Sequence, residues 1–370
     1  MRILFVSHYA LPHLGGIEVV IDALARRMTA RGHEVTHVAG GTGEDLRDFR
    51  APPYRVVRVP AINVVERRLG IPVPILGPAL WRVLGDEIAA ADVVHAHGVL
   101  YQACNVALRM ARRRGHRGRV VTEHVGSVPY DSRAVAAVQR AAMATVGRAT
   151  ARAAQAIVTL NERVGAEMAT LAPEVRRVEI ANGVDFERFH AAPKELRARP
   201  RILFAGRMVE KKGLPLVLDA ARRLGDAVDV VLAGPGNPGA LPPNVRHAGA
   251  MPQDELARLY AECDLFLLPS RGEGFPLTAQ EAMASGLPVI LGNDPAYRTM
   301  LDGSGDAATL VPLDVDAVVA AVRALLGRDL RELGAQAAHF ARERFGWDAA
   351  VDRHLALYDD IVNGATDRGR

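Results

Sequence analysis

The chain has 370 residues, of which 49% are hydrophobic and 24% charged, with a formal net charge of +4. This is ordinary globular composition, long enough for two domains of about 100–200 residues each. No apolar stretch reaches the roughly 18 residues that a bilayer-spanning helix needs. Cys104 and Cys263 lie too far apart in sequence for a metal pattern or a disulfide framework, so a reduced, cytoplasmic compartment fits.

Met1-Arg2 leads straight into a short buried-strand pattern at residues 3–6, which Ser7-His8 stops. No small-residue cleavage site follows cleanly, so a signal peptide is not expected. Residues 17–30 repeat apolar side chains at helical spacing, and Gly32 ends them. Further strands are predicted at 34–38, 91–95, 119–122, 157–159 and 178–180. Residues 59–81 are apolar but carry Pro60, Pro72, Pro74 and Pro78, so they cannot be one regular helix. A long loop with broken helical pieces is expected there, either packed on its own lobe or forming an acceptor-side wall.

Residues 193–200 are charged and proline-flanked and read as a linker. The pattern then restarts with a strand at 201–204, a helix at 214–224, and strands at 228–232, 265–268 and 288–291. The tail, 363–370, is polar. Alternating strands and helices, twice over, predict two Rossmann-like, doubly wound α/β domains facing a cleft. Ligands in such sheets sit at the carboxyl ends of the strands, and the cleft is the expected site.

Arg109, Arg112, Arg113, Arg114, Arg117 and Arg119 crowd one short segment. Such a run reads either as a solvated face or as a peripheral contact with an anionic membrane, at its inner face, or with an acidic acceptor. Nothing points to a nucleic-acid partner.

Three segments carry candidate chemistry. Gly15-Gly16-Ile17-Glu18 opens the first helix, where glycines let backbone approach a ligand and the helix N-terminus favours an anion. It is not the Gly-x-Gly-x-x-Gly dinucleotide pattern, which disfavours a nicotinamide site. Residues 206–213, Gly-Arg-Met-Val-Glu-Lys-Lys-Gly, follow the first strand of the second half. There Arg207 can grip phosphate oxygens bidentately, and a lysine adds a second cation. The third segment runs from Gly272 through Glu273, Gly274, Phe275, Pro276, Leu277 and Thr278 to Glu281, Ala282 and Met283. Glu273 is expected at a loop tip. Glu281 is expected inside the following helix, where a carboxylate needs a partner such as ribose hydroxyls. The amides around 275–278 can cap a phosphate.

In this order these residues resemble the family-4 retaining glycosyltransferases, which have the GT-B fold. The likeness runs nearly end to end: Gly-Gly-x-Glu, then Asn182-Gly183-Val184-Asp185, the Gly-Arg…Lys-Gly segment, and the Glu-x7-Glu pair Glu273 and Glu281, followed by 282–289. The resemblance implies that Arg207 and Lys212 neutralise a donor diphosphate, that Glu281 binds its ribose, and that Glu273 lies by the donor sugar. It also implies that Gly16, with Gly15, approaches phosphate or sugar, and that His124 contacts the sugar near the reacting carbon. Met251 falls in the nucleobase loop, and Glu18 is a candidate for the acceptor side. Residues 347–358 resemble the family's last helix, which returns to the first lobe. The implied domains are 1–190 plus 347–370 for the acceptor and 191–346 for the nucleotide-sugar donor. The implied activity is transfer of a sugar from a UDP- or GDP-type donor to a hydroxyl, with no cofactor beyond that co-substrate.

Other histidines invite other chemistry. His8 and His13 follow the first strand, where an inverting enzyme of this fold can carry its base; the Glu-x7-Glu pair weighs against that reading. His95-Ala96-His97 lies on a strand, and its two rings are expected on opposite faces, a poor chelate. Asp314-Val315-Asp316 has the spacing of a metal-diphosphate motif but precedes an apolar helical stretch, so an N-cap is expected and no metal. A nucleotide-sugar epimerase or hydrolase on the same fold would need no acceptor. A binding protein with a relic site is disfavoured by the intact set of charged residues.

Overall fold

Short runs of Val, Ile, Leu and Ala, apolar on both faces, become strands covered on both sides, as parallel sheets require. The computed structural model describes residues 1–13, 15–41, 51–64, 73–128, 132–192 and 197–364. Its chain divides into two units, Met1–Ala181 with Trp347–Arg370, and Asn182–Gly346.

The first unit holds β1 (Arg2–Tyr9), β2 (Glu34–Gly41), β3 (Arg55–Ile62), β4 (Ile75–Leu76), β5 (Val93–His97), β6 (Arg119–Glu123), β7 (Ala156–Thr159) and β8 (Arg176–Glu179). They form one sheet in the order β4-β3-β2-β1-β5-β6-β7-β8. All neighbours are parallel except β3 and β4. β1 lies between β2 and β5, with Leu4 opposite both Thr36 and Val94. Strand order reverses there, and the loops leaving β1 and β5 diverge to opposite faces. Helix Trp347–Asn363 closes the unit. Arg27 of helix Gly16–Ala30 lies over the Trp347 ring at 5.6 Å, and Arg31 pairs with Asp348 and Asp352.

The second unit holds β9 (Arg201–Ala205), β10 (Asp229–Ala233), β11 (Val245–Gly249), β12 (Leu265–Leu268), β13 (Val289–Gly292) and β14 (Ala308–Val311). The order is β11-β10-β9-β12-β13-β14, all parallel. Its reversal point lies between β9 and β12. Both cysteines are free and buried. Burial pushes the Cys104 thiol up to about 12, so it serves as a small core residue.

Three expectations need correction. The units part at 181/182 rather than 190/191. Val184 N donates to Phe345 O at 2.8 Å, and the Phe189 ring sits edge-on to Tyr260 at 5.7 Å, which ties residues 182–189 to the second unit. The 59–81 stretch is not a loop throughout. Its start completes β3, Ile75–Leu76 pairs with β3, and helix Ala79–Ala90 begins before Trp81; residues 65–72 lie outside the described residues. The strand expected at 91–95 runs over Val93–His97, because Asp92 turns aside to accept from Arg2 N at 2.7 Å. The linker's residues 193–196 and the tail's 365–370 also lie outside the described residues.

Candidate functional site

In the second unit the chain leaves β9 through Gly206-Arg207-Met208, and Met208 N donates to Pro235 O at 2.9 Å. A 3-10 turn, Glu210–Lys212, follows, and Gly213 with φ +80° hands the chain to helix Leu214–Leu224. A Cβ at 213 would strike the Pro269 carbonyl, so only glycine lets this turn pack on the loop after β12. Arg271 N donates to Lys211 O at 3.1 Å and joins the two loops. Lys212 Nζ therefore lies 3.1 Å from Glu273 Oε2, and Lys211 Nζ lies 3.7 Å from Oε1. Burial pushes the Glu273 carboxyl up, but Lys212, Lys211 and Arg207 outweigh it and hold it below its usual value. Burial lowers the Lys211 ammonium; Glu273 opposes this, while Lys212 and Arg207 add to it. Three cations thus share one buried carboxylate, an arrangement that can take up further negative charge.

Helix Leu277–Ala284 starts just beyond this cluster. Pro276 precedes it with no side-chain cap, and Pro276 O takes the Ala279 amide, which leaves the amides of Leu277 and Thr278 to face an anion. Phe275 is buried against Tyr297 and Phe345, at 5.5 and 5.3 Å between ring centres, which fixes the turn into the helix. Within the helix, Glu281 is 6% exposed. The Tyr260 hydroxyl lies 2.9 Å from Thr278 O and 3.2 Å from Glu281 Oε2. Burial pushes Glu281 up to about 7, against the Tyr260 hydrogen bond and the Arg188 charge. A ligand hydroxyl donating to this carboxylate would favour its ionised form. Met251, half-buried, follows Gly249 in the loop after β11, where Gly249 O accepts from Gly234 N at 2.8 Å.

In the first unit the carboxyl ends of β1, β5 and β6 bring His8, His97 and His124 together. Glu123 organises the loops around them. Its Oε2 accepts from Val99 N at 2.9 Å, and its Oε1 accepts from Val125 N and Gly126 N at 3.1 and 3.0 Å. His124 is buried, with Nε2 3.0 Å from His97 Nδ1. Burial first, then the neighbouring His354, drives His124 down to about 3, so its ring is neutral near pH 7. A ring of that basicity donates or accepts a hydrogen bond but is a weak general base. His8 stacks on Tyr101 at 3.9 Å, and its Nε2 lies 3.2 Å from Glu18 Oε1. Burial pushes His8 down to about 3, with His13, His124 and His37 adding to it. The Glu18 carboxylate folds back over the start of its own helix. A Cβ at Gly15 would collide with it, whereas Gly16 faces open space.

The glycosyltransferase family 4 description matches residues 14–188, and glycosyl transferases group 1 matches residues 199–328. D-inositol 3-phosphate glycosyltransferase 1 of Catenulispora acidiphila is 30% identical over 96% of this chain and 93% of its own length. The chain belongs to the family-4 glycosyltransferases. MMP alpha-(1->4)-mannosyltransferase of Mycolicibacterium hassiacum is 28% identical over 98% of each chain. Among solved structures, Anabaena Alr3699/HepE in complex with UDP-glucose has a TM-score of 0.75 at 16% identity, covering 96% of this chain and 100% of that one. The two parallel-sheet units are those of a GT-B glycosyltransferase.

Among the histidines of this glycosyltransferase, two differ from their reading in sequence, while Asp314 takes the N-cap role expected of it. His95 and His97 were expected on opposite faces, but residues two apart on a strand share a face, and their rings stack at 4.4 Å. They make a poor chelate for another reason: His95 spends both nitrogens, on Tyr358 Oη at 2.5 Å and Thr122 Oγ1 at 2.7 Å. Asp314 Oδ1 accepts from Asp316 N and Ala317 N at 2.9 and 3.1 Å, the geometry of an N-cap. Among the described residues no cluster of His, Cys, Asp or Glu is arranged to hold a metal ion, and no helix is long and apolar enough to cross a membrane. His13 is half-buried, with its ring 4.0 Å from Tyr9. Glu18 is 2% exposed and turned inward onto His8. Sequence reading missed Tyr260 and Glu123, and it weighed His97 only as a metal ligand. Only His97 had a local signal, its two-residue spacing from His95.

Proposed function

We propose that this glycosyltransferase uses a nucleoside-diphosphate sugar, without a metal ion, and transfers the sugar to a hydroxyl with retention of anomeric configuration. The observation that carries this reading is the gathering of Arg207, Lys211 and Lys212 around Glu273, beside the uncapped start of helix Leu277–Ala284. Arg207 and Lys212 bind the diphosphate, aided by backbone amides of 275–278. Glu281, held by Tyr260, takes the ribose hydroxyls. Glu273 lies by the sugar, Met251 lines the base loop, and Gly15 and Gly16 provide close backbone approach. The solved relative's UDP-glucose supports a donor of this class.

Retention follows from attack on the face that the diphosphate leaves. The bond from the anomeric carbon to the phosphate oxygen breaks, and its electron pair goes to the diphosphate. The acceptor oxygen bonds the same face of the carbon, and its proton passes to the departing diphosphate oxygen. No opposing base is needed, which suits a neutral His124 that hydrogen-bonds the sugar rather than taking a proton.

Calorimetry with UDP, GDP and the free nucleosides tests the assignment. Arg207→Ala and Lys212→Ala should lose diphosphate affinity and leave nucleoside affinity unchanged. Unaltered diphosphate binding in both variants would remove the phosphate site. With an α-linked donor, proton NMR should show an α-linked product, and His124→Ala should lower turnover far more than donor affinity. A β-linked product, together with an inactive His13→Ala variant, would establish inversion instead.

A further inference from the structure

The helical segment from 133 to 153 takes no part in the chemistry above, and its first stretch, Arg133–Ala142, buries no side chain. It continues through the π turn Met143–Gly147 into Arg148–Ala153. Val138 is 70% exposed, and Val135 and Val146 are 36% and 39% exposed. Val135, Val138, Ala142 and Val146 recur at helical intervals of three or four residues and so form one stripe. Arg133, Arg140, Arg148 and Arg152, all exposed, form a second. The interval from Arg140 to Arg148 is one residue longer than the interval from Arg133 to Arg140, and it spans the π turn, which widens the repeat.

Within the two segments that build this surface, the charge is all of one sign. No Asp or Glu occurs between Asp131 and Glu162, nor from Gln102 to Thr122. Arg109, Arg112 and Arg113 line an open groove with Ala149, Arg152 and Ala153. Among the described residues, Glu174 reaches Arg152 at 3.2 Å, while Arg109, Arg113, Arg133, Arg140 and Arg148 make no ion pair. Arg119 does not belong to this surface, because its guanidinium donates inward to Ala153 O at 2.7 Å and to His116 O. Arg114 likewise donates to Gly85 O, and Arg112 to Arg152 O at 2.9 Å.

A nucleic acid would satisfy the arginines but offer nothing to the valines. A second copy of the chain would set arginine against arginine. A surface with apolar depth beneath anionic head groups matches both stripes. We infer that residues 133–153, with Arg109 and Arg113, dock on an anionic lipid surface, the valines among the outer acyl segments and the arginines at the phosphates.

Co-sedimentation of the full chain with vesicles tests this, using phosphatidylcholine alone or mixed with phosphatidylglycerol, at low and moderate salt. The chain should bind the mixed vesicles, bind the neutral ones weakly, and lose part of the binding with salt. Arg133→Glu with Arg140→Glu should reduce partitioning by about fivefold or more per arginine. Val138→Asp should reduce it by about tenfold through lost insertion. Both variants should keep parental circular dichroism and unfolding midpoints, since these side chains bury nothing. Arg342→Glu, on the other unit, should bind as the parent does. Absence of parental binding to mixed vesicles at low salt would overturn the inference. So would unchanged partitioning of Val138→Asp, which would leave a charge-only contact. Concentration-dependent self-association abolished by Val138→Asp would reassign the face to a second copy and overturn it as well.

Discussion

Lowering the pH from about 7 to about 5.5 should weaken the first unit and strengthen the second. In the first unit, burial drives His37 and His124 down to about 3, His354 to about 4, and His95 and His97 well below their ordinary value. His8, which burial also pushes down to about 3, lies against the Glu18 carboxylate at 3.2 Å and stands apart from these five. An unfolded histidine titrates near 6.5, so below that pH the unfolded chain takes up protons that the folded unit refuses. Stability is therefore full above about 6.5 and falls with pH, by about 1.3 kcal/mol per ring across this interval and about 6 kcal/mol for five rings. That is a large part of the 5–15 kcal/mol typical of a domain. Glu281 behaves oppositely. Raised from 4.5 to about 7, it binds its proton more tightly when folded, so acid stabilises the second unit. The gain is about 1.5 kcal/mol over the same interval. Both tryptophans, Trp81 and Trp347, lie in the first unit, so their fluorescence follows that unit alone. In urea, the fluorescence midpoint should fall by about 2–3 M at the lower pH. Circular dichroism changes that fluorescence does not share should move to higher urea. A fluorescence midpoint that stays put or rises would refute the idea that these histidines are held neutral by burial.

Glu273→Gln removes the carboxylate that shares Lys211 and Lys212, so pyrophosphate and UDP should bind more tightly by calorimetry, by roughly three- to tenfold, while turnover falls. Tyr260→Phe deletes the hydroxyl shared by Thr278 O and Glu281 and should cost about 1–2 kcal/mol in urea unfolding of the second unit. Asp314→Ala should cost about 1 kcal/mol as a lost N-cap, and transfer should be insensitive to EDTA in parent and variant alike. Complete loss of activity on chelation, restored by magnesium or manganese, would return Asp314 and Asp316 to a metal role.

Strands buried on both faces were readable because their apolar runs are continuous, and helix Leu214–Leu224 was readable to the residue because Gly213 and Gly225 bracket it. Prolines misled the reading of 59–81. Pro60 pairs with Gly41 near the end of β3, and Pro78 sits just before a helix, where no amide is missed. The charged segments of the candidate site were legible as motifs, but their electrostatics were not. Lys211 joins Lys212 on Glu273 only because Gly213 lets the turn pack on Pro269. Tyr260 reaches Glu281 from another helix, and the hold of Glu123 on three amides depends on two adjacent strands; neither leaves a local pattern in the sequence.

Helix Trp347–Asn363 has a consequence for synthesis. It supplies the Tyr358 hydroxyl to His95 and covers helix Gly16–Ala30 through Trp347, although some 250 residues or more separate these partners along the chain. During translation the first unit must wait, its sheet lacking one helix, until the second unit has left the ribosome. The second unit is one continuous stretch and can fold as soon as it emerges. Rejoining the chain so that 347–363 precedes Met1 would let the first unit complete itself first, and the order in which the two units become protease-resistant on the ribosome should reverse.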